Sequence, residues 1–333
     1  PRSARADGLL TMIGKKASSR RKAVLWDAVE QRKAREPASY AAVFAEAEAS
    51  LSADTEMAAA DDEIGKDIKR TFPWLESYAS REAATRNVLL AYARRNPAVG
   101  YCQSLNFITG ALLMAPLSEE DAFFALVTIV EDLLPPDYYS RDDDLLGARI
   151  DQLVFAELFS RSLPTLSQRF DELHVPLPLF SLQWFMCLFA KDLPLSLVLR
   201  VWDVMFVYGD HALFAVGLAL LHMAESSLLE CKDLESVYDS LKNIGHRLLQ
   251  RDAEAAHRLV LHSLDTLMRT PLVERVEEGR GRHRREYALQ MERKQIESYN
   301  SSRQPSQPNS PPRNNNSNSA AAAVESADPT SPV

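Results

Sequence analysis

Residues 82–114, EAATRNVLLAYARRNPAVGYCQSLNFITGALLM, hold two helix patterns separated by a polar turn. Over residues 82–95, Val88, Leu89 and Tyr92 fall on one face while Arg86, Arg94 and Arg95 lie outside it, the repeat of an amphipathic helix. From Leu105 to Met114 the run is apolar on nearly all sides, and a helix without a polar face belongs at the centre of a core. Its small residues Gly110 and Ala111 would let another helix approach closely. The turn between them, Gly100-Tyr101-Cys102-Gln103-Ser104, is polar, and Gly100 would let the backbone come near a partner.

Helical spacing continues on both sides. Residues 120–133 (Phe123, Phe124, Val127, Val130) and 148–173 (Ile150, Leu153, Val154, Leu158) repeat it, and Asp142-Asp143-Asp144 are suited to start the latter helix at its positive dipole end. Pro178 and Pro194 precede apolar runs, as proline suits a first helical turn. Residues 212–225, 234–249 and 254–268 add three more helices, and alternation at period two is absent. The pattern predicts an all-α, multi-helix domain over residues 23–270. A basic flexible leader (1–22) precedes it. A charged helical extension (271–300) comes after it, with Tyr287, Leu289, Met291 and Ile296 as its few apolar anchors. The Ser/Asn/Pro/Ala-rich tail 301–333 cannot bury enough apolar area to offset its ordering entropy and is expected to be disordered.

Composition narrows the function classes. A net charge of −8 argues against nucleic acid as the main partner, since phosphate binding needs a clustered basic surface. Residues 1–36 hold ten Lys/Arg against four acids, enough to favour an anionic membrane surface, although a solvated leader is the preferred reading. Cys102, Cys187 and Cys231 show no paired spacing and read as reduced thiols, hence a cytoplasmic setting with peripheral attachment to endomembranes as an option. Apolar stretches are interrupted by Lys, Asp or Pro before eighteen residues, so no transmembrane segment is expected. No phosphate-cradling Gly-rich loop, nucleophile elbow or three-ligand metal cluster stands out.

A second polar cassette, Ile64-Gly65-Lys66-Asp67-Ile68-Lys69-Arg70, precedes Thr71-Phe72-Pro73. Alone, Asp67 and Arg70 would be an i,i+3 surface ion pair. Joined to Thr71-Phe72-Pro73, Ile64-x-x-Asp67-x-x-Arg70 resembles the arginine-finger motif of the TBC family of Rab GTPase-activating proteins. Val99-Gly100-Tyr101-Cys102-Gln103-Ser104-Leu105-Asn106 is similar to the family's Tyr-x-Gln motif. Trp184-Phe185-x-x-Leu188-Phe189 and Arg200-Val201-Trp202-Asp203 followed by Gly209 agree in order and spacing. Two departures stand out: Arg21 to Trp26 match the family's opening poorly, and Ser104 stands where the family often has glycine.

The resemblance implies a dual-finger activator of Rab-type GTPases, and so a regulator of vesicle trafficking. Arg70 offsets charge developing at the γ-phosphate, and Gln103 orients the hydrolytic water in trans. The chain would have no cofactor of its own; GTP and Mg²⁺ come with the GTP-bound partner. It would activate a GTPase without being a hydrolase itself. Ile64, Asp67, Gly100, Tyr101 and Asp203 are the supporting or partner-binding candidates, with Asp67 holding Arg70 in an aimed rotamer and Tyr101 shaping the loop or touching the GTPase. Trp184, Phe185, Arg200 and Trp202 form the structural motif, the aromatics as core and Arg200 in a salt bridge to Asp203. Arg94-Arg95 read as a solvated helix end, or as a face for an acidic GTPase surface. A catalytically silent Rab-binding scaffold, or a helical adaptor working through residues 274–298, is the alternative.

Overall fold

The computed structural model describes residues 17–302 apart from 116, 143, 243, 252, 253 and 270. Among them fifteen α-helices and no strand occur. The first part of the basic leader (1–16) and the tail from 303 lie outside the described residues.

The two helices of residues 82–114 form with the expected bounds. α1 (Ala17–Arg35), α2 (Tyr40–Ser50), α3 (Thr55–Ile68), α4 (Glu82–Arg95), α5 (Leu105–Met114) and α6 (Glu119–Val127) make the N-terminal half, with a 3-10 helix (Glu76–Arg81) after α3. Val88, Leu89 and Tyr92 are buried, and α4 packs against α2, α3, α5 and α6. Side chains start three of these helices by accepting from otherwise unpaired backbone N–H groups: Ser39 for α2, Asp54 for α3 and Ser118 for α6. The helix expected over 120–133 leaves α-geometry at Thr128, whose hydroxyl donates to the Phe124 carbonyl (2.8 Å), and continues as a π-helical turn (Thr128–Leu133).

The C-terminal half contains α7 (Leu146–Ser162), α8 (Pro164–Glu172), α9 (Pro178–Met186), α10 (Leu195–Tyr208), α11 (His211–Leu229), α12 (Leu234–Lys242), α13 (Ile244–Arg251) and α14 (Ala255–Arg269). The single helix expected over 148–173 is two, because Pro164 has no N–H to continue the ladder and begins α8 instead. Neither Asp142 nor Asp144 caps α7, and Asp143 lies outside the described residues. Leu145 fills that position in the left-handed conformation, and Asp144 instead accepts from Arg149 (2.8 Å). α11 is the hub of this half, packing against α7, α8, α9, α10, α12, α13 and α14. Contrary to expectation it is long and apolar enough, by length and composition, to cross a membrane. Burial of two-thirds of it within the fold accounts for that apolarity. α1 packs against both α6 and α10 and so joins the two halves.

The compact unit extends past residue 270, to Glu286. α15 (Leu272–Ser302) buries Leu272 and Val276, and its Arg280 reaches Asp151 on α7 with two hydrogen bonds of 2.7 Å. The same guanidinium pairs with Asp210 (2.5 Å) and lies over the Phe214 ring. The first part of the expected charged extension is thus a packed element of the domain. In the second unit, Tyr287–Ser302 is helical and exposes Leu289, Met291 and Ile296.

Candidate functional site

α3 turns Ile64 and Ile68 into the core, and Asp67 shares their face. The helix then closes in a tight turn, Arg70 N–H to the Asp67 carbonyl (3.1 Å) and Thr71 N–H to that of Ile68 (3.0 Å). The result separates two residues three apart: Asp67 is 3 % exposed, whereas the Arg70 side chain, paired with it, is 59 % exposed.

A buried carboxylate needs partners. Besides Arg70, Asp67 accepts the Tyr101 hydroxyl at 2.6 Å. Tyr101 is 2 % exposed, and burial together with the Asp67 carboxylate raises its hydroxyl well above the usual phenol range, so it remains a donor. A second tie lies alongside. The Asn106 amide donates to the Thr71 hydroxyl (2.7 Å) and accepts from the Ser104 N–H (3.0 Å), while the Thr71 hydroxyl donates to the Asp67 carbonyl (2.7 Å). The loop bearing Arg70 and the loop bearing Gln103 are therefore fastened together by two buried hydrogen-bonded links. Gln103 itself is exposed, in the turn that opens α5.

Gly110 explains how closely the loops approach. A Cβ there would stand 2.9 Å from the Tyr78 ring and 3.1 Å from the Phe72 ring. What the small residue admits is the Arg70 loop and the 3-10 helix behind it. Gly100 adopts φ +57°, beside the Arg141 guanidinium. Ser104 adopts φ +109°, a region that favours glycine, so its difference from the family pattern carries backbone strain. Cys102 is half-buried, and burial pushes its thiol up to about 11, away from nucleophilic use.

The remaining candidates separate by burial. Ile64 and Tyr101 are sealed in the core and support the loops from within. Trp184, Phe185 and Trp202 are core residues, and the Trp202 indole donates to the Leu188 carbonyl (2.9 Å). Asp203 and Arg200 are half-buried on α10, which packs chiefly against α1, α11 and α14, and both are engaged in polar interactions. Arg94 is exposed, but Arg95 fits neither outward-facing reading of the pair: it is half-buried and pairs with Glu36 (2.6 Å) and Glu131 (3.0 Å). Sequence reasoning gave no role to Thr71 or Asn106. Their signal was there: Asn106, completely buried, is a polar side chain in an apolar run, and such a group needs a partner.

Comparison with known proteins shows the family. The Rab-GTPase-TBC domain family model matches residues 14–229. TBC1 domain family member 2B of Mus musculus is 33 % identical over 249 residues, 74 % of this chain and 24 % of that protein. Growth hormone-regulated TBC protein 1 of Xenopus laevis is 37 % identical over 188 residues, covering 55 % of this chain and 54 % of that one. The crystal structure of the Chlamydomonas flagellar RabGAP TBC domain superposes with a TM-score of 0.62 at 28 % identity, over 75 % of this chain and 81 % of that domain. The chain thus spans about a quarter to a half of the length of these curated relatives. With the match running from α1 through α11 and taking in both cassettes, the chain belongs to the Rab-GTPase-TBC domain family.

Proposed function

We propose that this chain is a GTPase-activating protein for Rab-type small GTPases, and that it supplies Arg70 and Gln103 to a partner's active site. The observation that carries the reading is the Tyr101–Asp67 hydrogen bond, which fastens two loops whose tips, one cationic and one a carboxamide, are both exposed.

The partner brings GTP and Mg²⁺. Water attacks the γ-phosphorus, the bond to the β–γ bridging oxygen breaks, and GDP and inorganic phosphate leave. The Arg70 guanidinium offsets charge growing on the bridging and γ-oxygens. The Gln103 amide oxygen accepts from the water while its nitrogen donates to a γ-oxygen. Asp67 and Tyr101 restrain the arginine before the partner arrives, so less ordering is left for the transition state. An inserted arginine finger is worth about 10³–10⁵ in rate, roughly 4–7 kcal/mol of barrier. In the cell this activity would return Rab proteins to the GDP state on endomembranes and so regulate vesicle trafficking.

Single-turnover hydrolysis across a Rab panel tests the reading. Arg70→Ala and Gln103→Ala are each expected to slow the stimulated rate at least about tenfold, with losses that do not add because the two groups act as one constellation. Arg70→Lys is expected to fail as well, since a point charge does not reproduce the planar fork. Wild-type rates in either alanine variant would refute the assignment. Binding of a Rab without stimulation by the wild-type chain would favour the scaffold alternative.

A further inference from the structure

Trp74 lies four residues beyond Arg70 on the same loop and is 56 % exposed, whereas Trp184 and Trp202 are core residues. Its indole is not loosely held. It packs edge-on against Phe72 at 5.9 Å, and Phe72 packs edge-on against Tyr78 and Phe107 at 5.5 Å each. Phe72, at φ +44°, is itself seated over Gly110. Phe107 belongs to the first turn of α5, the helix that opens just after Gln103. One buried aromatic stack therefore props the exposed indole and also underlies both finger loops.

Pro73 fixes its own backbone φ immediately before the indole, and the edge-on contact with Phe72 holds the ring, so less freedom remains to be lost on binding. A large, preorganised, half-exposed tryptophan is the kind of side chain that carries binding energy at protein interfaces. Its continuity with Arg70 fixes which partner it meets. We propose that Trp74 is a docking anchor that inserts into an apolar pocket of the GTP-bound GTPase beside its nucleotide, contributing affinity rather than chemistry. This rests on the reading of Arg70 and Gln103 as fingers.

The test is single-turnover hydrolysis by the Rab that responds most strongly in the panel, measured against activator concentration. Trp74→Ala is expected to raise the half-saturating concentration about tenfold or more, with the saturating rate within about threefold of wild type and an unchanged melting temperature. Trp74→Phe, which keeps an aromatic face, is expected to recover most of the affinity. Equilibrium binding to the same Rab loaded with GDP and aluminium fluoride is expected to weaken in parallel. Unchanged half-saturation in Trp74→Ala overturns the proposal, and so does a loss confined to the saturating rate, which would make the indole a support for Arg70. A change in self-association of the isolated chain, without a change in Rab affinity, would assign it to a contact between copies and overturn it too. Arg70→Ala in the same assay keeps the two ideas apart: full activity there sinks the finger reading, whereas a Trp74 failure beside an inactive Arg70→Ala sinks the anchor alone.

Discussion

Two arginine–aspartate clusters in this domain use the same chemistry to opposite ends. Asp67 and Asp151 are both buried, but the arginine paired with the first has 59 % of its side chain in solvent and the one paired with the second only 9 %. At the Arg70 loop one face of Asp67 is taken by Tyr101 and the arginine leaves toward the surface. At α15 the guanidinium of Arg280 is enclosed by Asp151, Asp210 and the Phe214 ring. The burial of the cation, not of the carboxylate, divides an arginine that reaches the surface from one committed to holding the chain together. Asp151 and Asp210 lie within the stretch matched by the family model, yet their cation comes from beyond it.

The comparison breaks most visibly at Arg280. Arg280→Met would leave two buried carboxylates without their cation, a loss on the order of 3–5 kcal/mol, read as a lower melting temperature. A truncation ending at residue 270 is expected to do the same, so loss of activity on truncation would reflect unfolding rather than targeting. An unchanged melting temperature in Arg280→Met would remove the structural half of the contrast. Tyr101→Phe sharpens the other half. It leaves the Asp67 carboxylate short of one buried donor, about 1–3 kcal/mol, and is expected to lower the saturating hydrolysis rate about tenfold while half-saturation stays near wild type. If affinity fell and the rate held, Tyr101 would not be a positioning residue for Arg70. The smallest effect is expected at Ser104→Gly. Relief of its left-handed backbone, partly offset by the entropy of a more flexible unfolded chain, should raise stability by up to about 1 kcal/mol, seen as a higher denaturation midpoint. A lower midpoint would mean that the serine side chain outweighs the strain.

Features that leave a local trace in the chain were the ones the sequence made legible. Val88, Leu89 and Tyr92 repeat at helical spacing, and Leu105–Met114 is apolar throughout, so α4 and α5 could be read to the residue. The break at Leu163 needed more weight on Pro164, and the π-helical turn at Thr128 depends on a hydroxyl that composition does not flag. Arg70 and Gln103 stood out because they lie in ordered motifs. The ties that fasten their loops join residues 34 and 35 apart and have no periodic signature. Arg280 was hidden more completely. Among Arg275, Arg282, Arg284 and Arg285 it reads as one more charge on a solvated helix, and its partner Asp151 lies 129 positions away.

One paired measurement tests the central claim most directly: stimulated single-turnover GTP hydrolysis and melting temperature, determined together for Arg70→Ala and Arg280→Met. The account predicts that Arg70→Ala loses most of the rate with only a small drop in melting temperature, because Asp67 keeps its Tyr101 donor, and that Arg280→Met shows the larger drop. Stimulated hydrolysis at the wild-type rate by a folded Arg70→Ala variant would contradict it.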